Sequence, residues 1–154
     1  MQVQVGSNIY SLQAGQPLQI QAGQSLRVFY AFNYKVAEQT AVPIRAALYK
    51  KTLGVPLVVE EARTETTLTL DMSVAWQSYQ GQIDIAIGSG VGAGVYGLGV
   101  ECPGFEGAGD YIDDCIEVTA AAGITSWIGP LIMIAMLGML APMMSGMAGG
   151  EETE

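Results

Sequence analysis

Cys102 and Cys115 bracket the stretch of this chain that is richest in reactive side chains. Around them stand Glu101, Glu106, Asp110, Asp113, Asp114 and Glu117, six acids in seventeen residues with no base among them. Carboxylate oxygens beside a glycine-rich turn are the ligands calcium prefers. These acids lack the alternating spacing of a calcium loop, so a solvated acidic loop is expected and no metal is assigned. Zinc is disfavoured because two cysteines without a histidine leave too few of its usual ligands. The segment CPGFEGAGDYIDDC reads as the connection between the last two strands. Neighbouring strands can bring two Cα atoms to the roughly 5.5 Å that a disulfide needs. A Cys102–Cys115 bridge is therefore expected, and it would place the domain in an oxidising compartment.

Catalytic chemistry finds little else to work with. The chain has no histidine, so the commonest general base is missing. No motif supplies another base to activate a serine or cysteine. The glycines of IGSGVGAGVYGLG, residues 87–99, suggest a phosphate loop at first sight, but no lysine follows them. GVYGLGVE reads better as a strand whose glycines allow close packing or a bulge. The expectation is a protein that is not an enzyme and carries no cofactor.

The elements that must position these residues read as strands. Val3 and Val5 alternate with glutamine, Leu18 and Ile20 do the same, and Leu26, Val28, Tyr30 and Phe32 continue the period of two. Further strands are expected over 42–50, 55–61, 64–72, 82–87, 94–101 and 111–118. QAGQPLQI (13–20) and QAGQSLRV (21–28) echo each other, each a glycine-centred turn followed by a short strand. The two copies suit strands divided between two sheets. Phe29, Tyr30, Phe32 and Tyr34 fill both faces of one central strand, and Trp76 and Tyr79 are expected to anchor the core. Eight or nine short strands at close spacing favour an antiparallel β-sandwich of the immunoglobulin-like kind over residues 1–118.

Beyond that domain the character of the chain changes. From Val118 to Gly150 no residue is charged. Within this run, Ile124 to Met147 would reach about 36 Å as a helix, enough for the roughly 30 Å hydrocarbon core of a bilayer. Residues 119–150 are expected to form an apolar or transmembrane α-helix, followed by an acidic tail over 151–154. Trp127 suits a membrane interface. Ala135, Gly138, Ala141 and Ser145 share one helix face, and small side chains there let two helices approach closely. A helix buried in the core of a filament or capsid is the rival reading, and the acidic residues on both flanks leave topology open.

Net charge is -9, unevenly spread: all six bases lie in the first 63 residues, and twelve acids with no base follow. Nucleic acid is a poor partner for such a chain. MQVQVGSNIY has neither the basic start nor the apolar core of a secretory signal. The overall pattern resembles small immunoglobulin-like ectodomains of bacterial, archaeal or viral surface proteins. That resemblance implies a structural or adhesive surface component, membrane-associated, with its β domain outside the cytoplasm or on a virion. The helix would display it in multiple copies as a homo-oligomer held by membrane lipid or an apolar assembly core. An accessory subunit of a larger membrane complex, its helix docked on a partner, is the alternative.

Overall fold

The structure is a computed structural model and describes residues 1–105 and 107–121. The expected helix over 119–150 lies outside the described residues from 122 onward, together with Trp127, Ala135, Gly138, Ala141, Ser145 and the acidic tail over 151–154, and Thr119, its expected first residue, instead ends the last strand. Nine strands follow in order: β1 (Gln2–Val5), β2 (Asn8–Ser11), β3 (Leu18–Gln21), β4 (Ser25–Tyr34), β5 (Thr40–Thr52), β6 (Val55–Leu70), β7 (Gln77–Ala86), β8 (Gly94–Glu101) and β9 (Gly109–Thr119). Among the described residues no helix is long and apolar enough to cross a membrane.

The strands form two sheets, one in the order β2-β1-β4-β7 and one in the order β3-β9-β8-β5-β6. Pairing is antiparallel throughout, except that β3 runs parallel to β9. The all-β, two-sheet architecture is as the period-two pattern expects. The repeated QAGQ segments part company as expected too: β3 joins the five-stranded sheet and β4 the four-stranded one.

The core forms where the alternation says it should. On β4, Leu26 and Val28 point inward and are fully buried, facing Ile85 and Ile83 of β7 in register. Between them Arg27 points outward and makes a two-pronged ion pair with Asp84, 2.7 Å from Nε to Oδ1. Leu48 of β5, Leu98 of β8 and Ile116 of β9 supply the other side of one apolar cluster. Among the described residues no polar or charged residue is buried. Burial of such apolar surface drives folding at about 25 cal/mol per Å², and here it does so without the cost of desolvating a charge.

Three expectations need correction. Residues 55–70 are one strand, where two were expected, because a register shift between Ala47 and Tyr49 absorbs the irregularity at Glu60–Glu61 without ending the pairing. β2 was not foreseen; all four of its residues are exposed, so it carries no alternation to read. Trp76 does not anchor the core. It is 72% exposed on the connection from β6 to β7, beside the equally open Met72 and Val74. Tyr79 does pack on the core, stacked 5.3 Å from Phe32.

Candidate functional site

The outer face of the five-stranded sheet gathers the side chains with the most chemistry, and β8 makes it possible. Gly97 and Gly99 of β8 point outward, and the ring of Tyr49 from β5 lies over the first while that of Tyr111 from β9 lies over the second. A Cβ on Gly97 would come within 2.6 Å of the Tyr49 hydroxyl, and one on Gly99 within 2.6 Å of the Tyr111 ring. No side chain larger than hydrogen leaves room for either tyrosine. The two rings meet edge to face at 5.9 Å, the arrangement that aromatic quadrupoles favour.

A bulge in β9 completes the site. Tyr96 pairs with Ile116 but Leu98 with Ile112, so three residues of β9 stand opposite Gly97. Asp114 takes φ 48° to make the detour, a left-handed conformation that aspartate tolerates better than most residues. The detour turns Asp113 onto the outer face and lets both Cys115 and Ile116 point into the core.

Two carboxylates on this face, Asp113 and Glu101, are each held by two donor residues. Tyr49 Oη donates to Asp113 Oδ1 at 2.5 Å, and Lys51 pairs with the other oxygen of Asp113. Arg45 Nε donates to Glu101 Oε1 at 2.6 Å, and the Tyr111 hydroxyl donates to Glu101 Oε2. Hydrogen bonds from Lys51 and Tyr49 hold the Asp113 carboxyl below its ordinary range. Burial pushes the Glu101 carboxyl upward, but the bonds from Tyr111 and Arg45 outweigh it and the net shift is downward. Burial, then the bonded carboxylate, raises both phenols: Tyr111 to about 12, and Tyr49 in the same direction. A hollow of about 230 Å³ opens between Tyr49, Tyr111, Val58 and Arg45. With its carboxylates ionised and its phenols protonated, the face presents aromatic surface framed by charges of both signs.

The phenols give a pH prediction. Tyr30 is also raised to about 12, mainly by burial. A folded-state pKa above the unfolded value of about 10 contributes stability that is complete below pH 10. That stability is lost as pH rises through the folded value. Unfolding at alkaline pH, followed by the phenolate absorbance of the seven tyrosines, is expected to release these three together between about pH 10 and 12. A titration in which every tyrosine ionises near 10 while the fold persists would contradict the geometry.

The expected Cys102–Cys115 disulfide is not formed; both thiols are free. The strand register keeps them apart. Cys115 sits in the bulge opposite Gly97, and Cys102 lies five residues beyond Gly97 on the same ladder. At about 3.4 Å per residue that is roughly 17 Å, far outside disulfide reach. The Cys115 thiol is fully buried, donates to the Ile112 carbonyl at 3.2 Å, and is pushed up to about 11 by burial. Burial also raises the Cys102 thiol. Cys102 is half-buried against the core, so Cys102→Ala is expected to cost only about 1 kcal/mol, the typical loss for a point substitution. Loss of about 2–5 kcal/mol in thermal unfolding would instead be the mark of a native disulfide.

Of the six acids, Glu101 and Asp113 belong to the tyrosine face, and Glu117 accepts a hydrogen bond from Gln19 Nε2 at 2.9 Å. Glu106 lies outside the described residues. Among the described residues no group of three or more histidine, cysteine, aspartate or glutamate side chains could hold a metal ion. The tyrosine face had a trace in the sequence, in the alternation Arg45, Ala47, Tyr49 and the glycines of GVYGLGVE. The bulge that brings Asp113 to it had none. The chain matches no model of a known protein family, and a search of curated proteins finds no significant relative.

Proposed function

We propose that this chain is a non-enzymatic structural or adhesive surface component, an immunoglobulin-like sandwich displayed in multiple copies through its apolar C-terminal segment. The observation that carries the reading is the abrupt change at the end of β9: a folded β unit gives way to an uncharged run that continues to Gly150. A run of that length and composition suits lipid or the interior of an assembly better than the core of a single globular domain. The immunoglobulin-like assignment is supported by strand order. β4 and β7 share one sheet, while β9, β8, β5 and β6 lie side by side in the other, the order of the G, F, C and C′ strands of a variable-type domain. The inter-sheet disulfide of antibody domains has no counterpart in Cys102 and Cys115.

In such an array the face of Tyr49 and Tyr111 is the surface we assign to a neighbouring copy. Around the two rings Arg45 pairs with Glu101 and Lys51 with Asp113, so these four side chains add no net charge and a second copy would meet the patch without like-charge repulsion between them. Gly138→Leu tests the assembly itself, since it fills the small-residue face of the C-terminal segment. The variant is expected to disperse the oligomer, read by light scattering, with the β unit still folded by circular dichroism. An oligomer of unchanged size would refute assembly through that face.

A further inference from the structure

Over its second half β4 is paired on one side only. β1 pairs with it from Arg27 to Phe29 and stops there, whereas β7 continues to Tyr34. Tyr30 to Tyr34 therefore present an open edge inside the four-stranded sheet, beyond the start of β1. Which backbone groups point into the opening follows from the ladder. Leu12 donates to the Met1 carbonyl at 3.2 Å, and Ile87 donates to the Gln24 carbonyl at 2.8 Å. By alternation, the first bond turns the amide and carbonyl of Val3 to β2 as well, leaving Gln2 and Gln4 to bond Phe29 and Arg27. The second turns the even-numbered residues of β4 to β7, in agreement. The amides and carbonyls of Ala31 and Asn33 thus point out of the open edge, and among the described residues no strand meets them.

The side chains here are as incompletely covered as the backbone. Tyr30, Phe32 and Tyr34 continue the inward row of Leu26 and Val28, yet they are only half-buried where Leu26 and Val28 are fully buried. A hollow of about 530 Å³ lies beside Met1, Gln2 and Phe29, and one of about 370 Å³ lies between Phe32, Ile44 and Val100; Tyr30 and Ala31 line both. The charged side chains lining these hollows, Asp110 and Glu101, stand on the other sheet. After Arg27, β4 has no charged residue and no proline, so this edge lacks the devices by which proteins keep strand edges from pairing.

We propose that the same edge of a second copy completes this one, the two β4 strands pairing antiparallel about a two-fold axis at Phe32. The stretch is its own complement, as an isologous contact requires. With Phe32 opposite the partner's Phe32, Ala31 faces the partner's Asn33 and Tyr30 faces the partner's Tyr34. The pairing uses the open residues and ends where β1 begins. Each Ala31–Asn33 pair exchanges both of its backbone bonds. The two Phe32 residues meet at a non-hydrogen-bonded site, where Cα atoms lie about 4.5 Å apart and side chains are closest. Aromatic pairs at such positions stabilise a sheet, and the uncharged strands set no like charges against each other. This contact is separate from the face of Tyr49 and Tyr111, which belongs to the other sheet, so one copy can hold a different neighbour through each.

The test uses the full chain in mild detergent, with Cys102 replaced by alanine so that the buried Cys115 is the only native thiol. Mild oxidation is followed by electrophoresis without reductant. Phe32→Cys puts two thiols on the axis, within the Cα separation of about 4.4–6.8 Å that a disulfide spans. Tyr30→Cys puts them out of register along the strands, roughly 14 Å apart. Most of the Phe32→Cys chain is expected to become cross-linked dimer, while Tyr30→Cys stays uncross-linked. A chain carrying both Ala31→Cys and Asn33→Cys, at two exposed outward positions, checks the same register without touching the aromatic row, and it too should cross-link. Dimer from either of these, with position 30 uncross-linked, supports the pairing. No dimer from either would overturn it and leave the edge to a strand of another protein. Equal cross-linking at positions 30 and 32 would mean that copies meet without this register, which overturns it as well.

Discussion

Gly97→Ala is expected to unfold at a temperature lower by on the order of 5 to 10 °C, and to release the Tyr49 hydroxyl from Asp113. The added methyl would sit 2.6 Å from the Tyr49 hydroxyl oxygen and closer still to the ring. The neighbour is an aromatic ring held by its own hydrogen bond and only 4% exposed. Neither the strand nor the ring gives way easily. Overpacking of this kind costs about 1–3 kcal/mol. The displaced ring also leaves Asp113 with Lys51 as its remaining side-chain partner. Thermal unfolding reads the first effect and the ultraviolet titration of Tyr49 the second. Wild-type stability with an unshifted tyrosine titration would mean that the ring does not lie on the glycine.

Leu48→Ala is expected to be the most destabilising single truncation near this face, at about 2–5 kcal/mol in denaturant unfolding. Leu48 is fully buried on β5, between the outward residues Ala47 and Tyr49 of the register shift. The strand is paired on both sides, by β6 and β8, and cannot collapse into a cavity without breaking one ladder. Against a total stability of about 5–15 kcal/mol the loss is large enough to leave a visible unfolded fraction at 37 °C. A loss under about 1 kcal/mol would place Leu48 outside the core.

Much of this architecture was legible because the sheets are amphipathic. Leu26 and Val28 alternate with Arg27, and Ile83 and Ile85 with Asp84, so which face is buried follows from period two alone. The repeated QAGQ units announced two short strands that separate to different sheets. What escaped is what alternation does not encode. β6 is an edge strand exposed along most of its length, so Glu60 and Glu61 interrupt its pattern without interrupting the strand. The bulge at Asp113–Cys115 shifts the register by two residues through one left-handed aspartate, and no composition signals it. The supposed disulfide failed for a related reason. Adjacent strands were expected to bring the cysteines together, but adjacency says nothing of position along the ladder. Trp76 misled because size alone suggested burial, whereas it sits on the Asp71–Trp76 connection, tied down through Ser73, whose amide donates to the Val36 carbonyl at 2.9 Å.

The tyrosine face and the tip of the β5–β6 hairpin give the sandwich two surfaces with different chemistry. One is aromatic with paired charges; the other is aliphatic, with Leu53, Val55 and Leu57 exposed. The first suits a protein neighbour.

The central claim is that the uncharged segment from 118 to 150 fixes the β unit to lipid or to an assembly core. The most direct test is the size and shape of the full chain, by light scattering and negative-stain microscopy, with and without mild detergent. The account predicts either regular filaments or rings without detergent, or particles that stay dispersed only with it. Small, monodisperse particles in plain buffer, unchanged by detergent, would contradict it.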